Sequence, residues 1–194
     1  MAGILSVVVL WLAVLLSTTA AGAVPRSPYD PGPGQPFGRA NPEAPEELAQ
    51  FAFLIGRNDC TEKVRGPSGG DWIERERTWD AHYALNGWAI LDNGVSAAGA
   101  NGNMRIFDTS DGRWKVSFFS TPGFGNGLWE GGMRGPDMVL ERPQKAPGTA
   151  LDGTSRLTFS AITDASFNWQ GEWISQDGSV IYPFWTISCH KTSS

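Results

Sequence analysis

The sequence predicts an all-β protein, one closed antiparallel sheet of about eight to ten strands with a short helix across one end. Three observations carry that expectation. Turn dipeptides, chiefly Asn-Gly and Asp-Gly, recur about every eight to twelve residues from Cys60 onward and supply the positive φ that tight hairpins need. Between the turns, apolar and polar residues alternate with the two-residue period of a strand that buries one face. The only two cysteines, Cys60 and Cys189, stand at opposite ends of the strand series. A closed barrel brings its first and last strands side by side, so the two are expected to form a disulfide between them.

The chain begins with an apolar run over residues 4–16, followed by the small residues Thr18-Thr-Ala-Ala-Gly-Ala23. The run has signal-peptide length and is short for a membrane-spanning helix, so residues 1–23 are read as a signal peptide cleaved after Ala23. The lack of Lys or Arg before the run leaves an uncleaved anchor as the alternative. A secreted or periplasmic location favours pairing of the two cysteines. About 170 residues remain after cleavage, enough for one domain with a sizeable core. The formal net charge of −5 is spread without a basic block, which argues against nucleic acid and anionic membrane surfaces as partners. No integral membrane span is expected after cleavage, and the domain is read as a monomer.

Residues 24–45 are rich in Pro and Gly and poor in apolar anchors, the composition of a solvated linker or tail. The character changes at Pro45-Glu46-Glu47-Leu48, where a proline suited to a first helical turn precedes two acids that complement the helix dipole. Leu48, Phe51, Ala52 and Ile55 then fall at helical spacing, and Gly56 is placed to end a helix of one to three turns. The barrel domain is expected to span 46–191. Its strands are expected near 57–65, 71–80, 87–92, 102–109, 113–120, 126–134, 137–142, 155–162, 166–175 and 181–190. Turns are expected at Asn86-Gly87, Asn93-Gly94, Asn101-Gly102, Asp111-Gly112 and Asp177-Gly178, among others. By alternation Trp114, Val116 and Phe118 share one face, as do Phe167, Trp169 and Trp173, and Trp185, Ile187 and Cys189.

The ordered series Phe53-Leu-Ile-Gly-Arg-Asn-Asp-Cys60, Arg105-Ile-Phe-Asp108, Asp111-Gly-Arg-Trp114, Trp129-Glu-Gly-Gly132, Arg156-Leu-Thr-Phe159, Phe167-Asn-Trp169 and Ser175-Gln-Asp-Gly178 resembles an uncharacterised family of lipocalin-like (calycin) exported domains. The resemblance covers about residues 50 to 191 and implies an up-and-down barrel with an internal cavity. That family carries a Gly-x-Trp pattern whose Trp plugs the barrel base. Here the position is Asn58, and Trp185 on a neighbouring strand is available to fill the space. The resemblance implies no particular activity.

Nine tryptophans, one of them in the leader, give the chain far more large rings than usual. On the inner face of a barrel such rings either fill the interior or line a site for one small ligand. Trp114, Trp129, Phe167, Trp169 and Trp173 are the candidate contacts for a small apolar or amphipathic molecule. Gly171, between Trp169 and Trp173, is read as an inward position that leaves room beside the rings. The alternative is a bulge that turns Trp173 outward. Arg105 shares a face with Phe107 and is the candidate anchor for an anionic head group, with an exposed outward arginine as the other reading. The same pair of readings holds for Arg156.

No Gly-x-Ser-x-Gly elbow or phosphate loop occurs. Glu130 and Glu172, each beside a tryptophan, are the acids that an enzyme of hydrolase or isomerase type would use in the same cavity. Glu74 and Glu76 read as a solvated face with Arg75 and Arg77 opposite. His82 and His190 lack metal-ligand spacing, so no metal or other cofactor is expected. His190 is similar in placement to the iron-ligating histidine of heme-binding calycins, but its polar terminal neighbours make a surface histidine the expectation. The leading reading is therefore an exported lipocalin-like binding protein, with an enzyme, or a filled barrel that works through its surface, as the alternatives.

Overall fold

The computed structural model describes residues 27–66, 69–146 and 148–193. The expected signal peptide and its cleavage site lie outside them. Ten strands follow one another as β1 (Gly56–Gly66), β2 (Gly69–Ala84), β3 (Ala89–Ser96), β4 (Gly99–Asp108), β5 (Arg113–Thr121), β6 (Gly125–Arg134), β7 (Asp137–Pro143), β8 (Gly153–Ser160), β9 (Ser166–Ser175) and β10 (Ile181–Ser193). Each pairs antiparallel with its neighbours in sequence, and β1 closes on β10, so the barrel is up-and-down and has no free edge. All ten expected strands are present. Cys60 faces Cys189 across the β1–β10 seam at a Cα–Cα distance of 4.1 Å, and the two form the expected disulfide.

Two of the expected turns lie inside strands instead. Gly94 pairs with Asn101 and Asn93 with Gly102, all within β3 and β4. The chain reverses at Ala97-Ala98, with Gly99 at φ 144°. Gly94 serves a different purpose from a turn glycine. A Cβ there would collide with the guanidinium of Arg77, so the missing side chain makes space on the inner wall for one from β2.

One end of the barrel is closed by the expected short helix, Glu46–Leu54, which is of 3₁₀ type. Three of its four buried residues, Leu48, Phe51 and Leu54, recur every three positions, with Phe53 beside them, whereas Ala52 is exposed. Residues three apart eclipse in a 3₁₀ helix, so this spacing drives one narrow apolar edge into the barrel. Phe51 packs edge-on against Trp114 at 4.7 Å and Phe159 at 5.6 Å, and Phe53 against Phe167 at 5.2 Å. Asn58 is fully buried, and its amide donates to the carbonyls of Leu54 and Trp79. It thereby ties the end of the 3₁₀ helix to β2. Trp185 does not fill this base: it lies opposite Val64, toward the other end of β1.

From Ser27 on, the stretch expected to be a solvated tail is tied to the β2–β3 turn. Tyr83 N–H donates to the Phe37 carbonyl, Asn41 N–H to that of Gly87, and Asn86 N–H to the Asp30 carboxylate. The prolines do not prevent this because the residues between them carry the bonds. No helix among the described residues is long and apolar enough to cross a membrane.

Candidate functional site

Beyond the aromatic base the barrel is not full. A cavity of about 190 Å³ occupies its other half, with Phe118, Trp129, Leu157, Trp169, Phe184 and Trp185 in its wall. Phe184 reaches the cavity through an irregularity in β10: Pro183 pairs with Glu172 and Trp185 with Gly171, which leaves Phe184 as an extra residue. Such a bulge re-aims a side chain, here toward the interior.

The cavity floor is a buried polar cluster. Asp92 on β3 accepts from Trp79 Nε1 at 3.0 Å, Asn103 Nδ2 at 2.6 Å and Arg105 Nε at 2.6 Å. Trp79, Asn103 and Arg105 all border the cavity, while the Arg105 guanidinium lies 4.7 Å from the Phe51 ring of the base. The cluster therefore separates the void from the base. Higher on the wall, Arg77 Nη1 donates to Glu62 at 3.2 Å, and Trp185 Nε1 donates to the same carboxylate at 3.1 Å. Arg77 also donates to the side-chain oxygen of Asn101. Burial pushes the Arg77 guanidinium below its ordinary range, and the Glu62 charge offsets part of that shift.

The third arginine of the wall, Arg142, stands at the end remote from the 3₁₀ helix. Its Nε and Nη2 donate to Gln144 Oε1 at 3.1 and 2.7 Å, and Nη1 donates to the Asn126 carbonyl at 3.2 Å. The guanidinium lies over the Trp129 ring, 3.8 Å from its centroid. Burial lowers its pKa as well. A Cβ on Gly127 would collide with Nη1, so this glycine too makes room for an arginine.

The residues expected from sequence divide among three places. Trp129 and Trp169 line the cavity. Trp114 and Phe167 are packed into the aromatic base, and the Trp114 indole donates to Gln50 Oε1. Trp173 keeps the inner face by register, yet it sits at the rim beside Gly153 with its indole N–H on the Gln144 carbonyl. Gly171 does face inward, but the room expected beside it is taken: an added Cβ would lie 2.9 Å from the Trp169 ring and 3.4 Å from that of Phe184.

Arg105 points inward but is neutralised by Asp92. Glu130 faces outward and pairs with Arg113 at 3.5 Å and Lys115 at 3.1 Å. Glu172 is buried on the outer face beneath Arg156, whose Nε donates to it at 2.6 Å, so neither expected acid enters the cavity. Arg75 and Arg77 answer Glu62 of β1, while Glu74 pairs with Lys63. His82 is half-buried on the outer face of β2 and His190 is exposed. No group of His, Cys, Asp and Glu suited to a metal occurs among the described residues.

The inward residues that the sequence reading passed over are Glu62, Arg77, Asp92, Arg142 and Phe184. Parity carried a signal for four of them, since Glu62 stands two residues from Cys60, Arg77 two from Trp79, Asp92 two from Ile90 and Arg142 two from Leu140. Phe184 gave none, because alternation alone places it opposite to Trp185. Comparison with protein-family models and with curated proteins finds no match to this chain.

Proposed function

We propose that this chain is an exported, calycin-like binding protein that holds a small apolar or amphipathic molecule inside its barrel. The observation that carries this reading is the cavity. About 190 Å³ stays open in a barrel whose other end is packed solid with rings. Protein interiors leave few voids larger than a water, and an apolar cavity of roughly 150 Å³ suffices to take benzene. Rings in the wall offer large, rigid contact area to such a guest. The closed ten-stranded topology is compatible with a calycin-like architecture. Export is supported by the apolar N-terminal run and by the disulfide. The outward placement of Glu130 and Glu172 favours binding over catalysis in this cavity.

Trp129 and Trp169 border the void, so their fluorescence reports on occupancy. Titration with toluene and naphthalene should quench or shift it saturably, and native mass spectrometry of freshly purified protein should show a co-purified small molecule. A flat titration together with a bare mass would refute the reading.

A further inference from the structure

We propose that the cavity is an anion site, taking a small amphipathic carboxylate whose head group is held by Arg142 at the mouth. This rests on the binding reading above and adds the chemistry of the ligand.

The charges of the wall do not balance. Arg77, Arg105 and Arg142 all border the cavity. Glu62 pairs with the first at 3.2 Å, and at 3.9 Å with Arg75, which does not border the cavity, and Asp92 pairs with the second, but no carboxylate among the described residues lies within 4.0 Å of Arg142. One positive charge is left over beside an aromatic void. Its position is built: Gln144 and the Asn126 carbonyl hold the guanidinium with neutral oxygens, the Trp129 ring lies against its face, and Gly127 makes its space. A guanidinium offers five N–H groups, of which these contacts engage three, so two remain for a carboxylate.

The unfilled hydrogen-bonding capacity of the wall has the same sign. Trp129 Nε1 and Arg77 Nε are buried donors without an acceptor. Gln144 and Asn101 each have their amide oxygen engaged by an arginine, which leaves their NH₂ groups as the free ends. Asn103 and Ser155 supply the only side-chain oxygens of the wall that are not engaged. A surplus of donors calls for an acceptor-rich guest, and the single uncompensated charge calls for a monoanion. Size limits the rest of the molecule. About 190 Å³ accommodates one ring with a short tail and excludes a long acyl chain.

The test compares 3-phenylpropanoate with 3-phenylpropan-1-ol, two probes of one shape that differ in the charge of the head. Calorimetric titration of the wild type at pH 7 and low salt should give at least tenfold tighter binding of the carboxylate. Arg142→Met should bring that ratio close to one, and Arg142→Lys should keep part of it. Gln144→Glu supplies Arg142 with an internal carboxylate at a half-exposed site, and it should also collapse the ratio if Arg142→Met fails to fold. Equal affinity of the wild type for both probes overturns the anion assignment while the binding reading stands. A preference that survives Gln144→Glu and any folded Arg142→Met overturns the assignment to Arg142. Binding of neither probe overturns this proposal, and the binding reading then stands or falls with the toluene titration and the native mass.

Discussion

Replacing Asp92 tests whether the cavity floor is held by one acid. The Asp92 carboxylate accepts from Trp79, Asn103 and Arg105, and the charged pair is almost out of solvent, with side-chain exposures of 0% for Asp92 and 3% for Arg105. Asp92→Ala leaves a buried cation without its partner, a defect worth about 3–5 kcal/mol. Each abandoned N–H adds about 1–3 kcal/mol when dry. All three donors border the cavity, however, and water entering there offsets much of that addition. The net expectation is therefore about 3–5 kcal/mol, against a total of roughly 5–15 kcal/mol for a domain. At about 2–4 °C per kcal/mol for a chain of this length, the melting temperature should fall by roughly 6–20 °C. Urea denaturation followed by circular dichroism measures the loss directly. The double variant Asp92→Ala/Arg105→Met removes both charges and should regain part of it, giving with the two single variants a coupling of about 2 kcal/mol or more. A loss below about 1 kcal/mol for Asp92→Ala, or an additive cycle, would refute the assignment of Asp92 as the neutralising acid.

Two further outcomes follow from the fold. The disulfide joins residues 129 apart in sequence, so replacing both cysteines by Ala should cost about 5 kcal/mol in the chain-entropy treatment. Thermal melts with and without reductant read this, and a shift under about 3 °C contradicts it. Gly171→Leu must push Trp169 and Phe184 into the void from contacts already at 2.9 and 3.4 Å, so it should cost about 1–3 kcal/mol and abolish probe binding. A variant with the melting temperature and the toluene titration of the wild type would show that the cavity lies elsewhere.

Much of this architecture was legible because it follows from local rules. Period-two alternation put Trp114, Val116 and Phe118 on one face, and the same parity put Cys189 beside Ile187 on the buried side. The seam followed from a closed barrel together with two cysteines at the two ends of the strand series. The errors came where one residue type answers two needs. Asn-Gly at 93–94 and 101–102 has the composition of a turn, yet here both pairs lie within paired strands: Gly94 on the inner wall makes way for a guanidinium, and on the outer face a Cβ on Gly102 would press to 3.2 Å on the Asp92 carbonyl. The short helix is where it was expected, but its stripe was drawn through Leu48, Phe51, Ala52 and Ile55, whereas Leu54, three residues after Phe51, is a position that buries. The aromatic set was read as one site because strand parity cannot tell depth along a barrel. Trp114, Trp129 and Trp173 share the inner face, and only Trp129 is level with the void.

Depth and pairing together explain why the charged interior was harder to see than the aromatic one. The general rule that Arg stays at the surface unless paired argues against an inward Arg77, Arg105 or Arg142. The exception lies in residues of other strands. Arg77 is answered by Glu62 of the adjacent β1, and Arg105 by Asp92 of the adjacent β3. Each acid stands near its base only after the strands have paired in register. Arg142 shows the converse. Arg77 and Arg105 meet their acids on the diagonal, two residues beyond the register partners Cys60 and Ile90, whereas around Arg142 the register partner Ser155, its diagonal neighbours Gly153 and Leu157, and Gly127 and Trp129 of β6 are all uncharged. An arginine carried inward by parity and left without an acid by both neighbours keeps its charge available to a ligand. That combination becomes legible only when register is added to alternation.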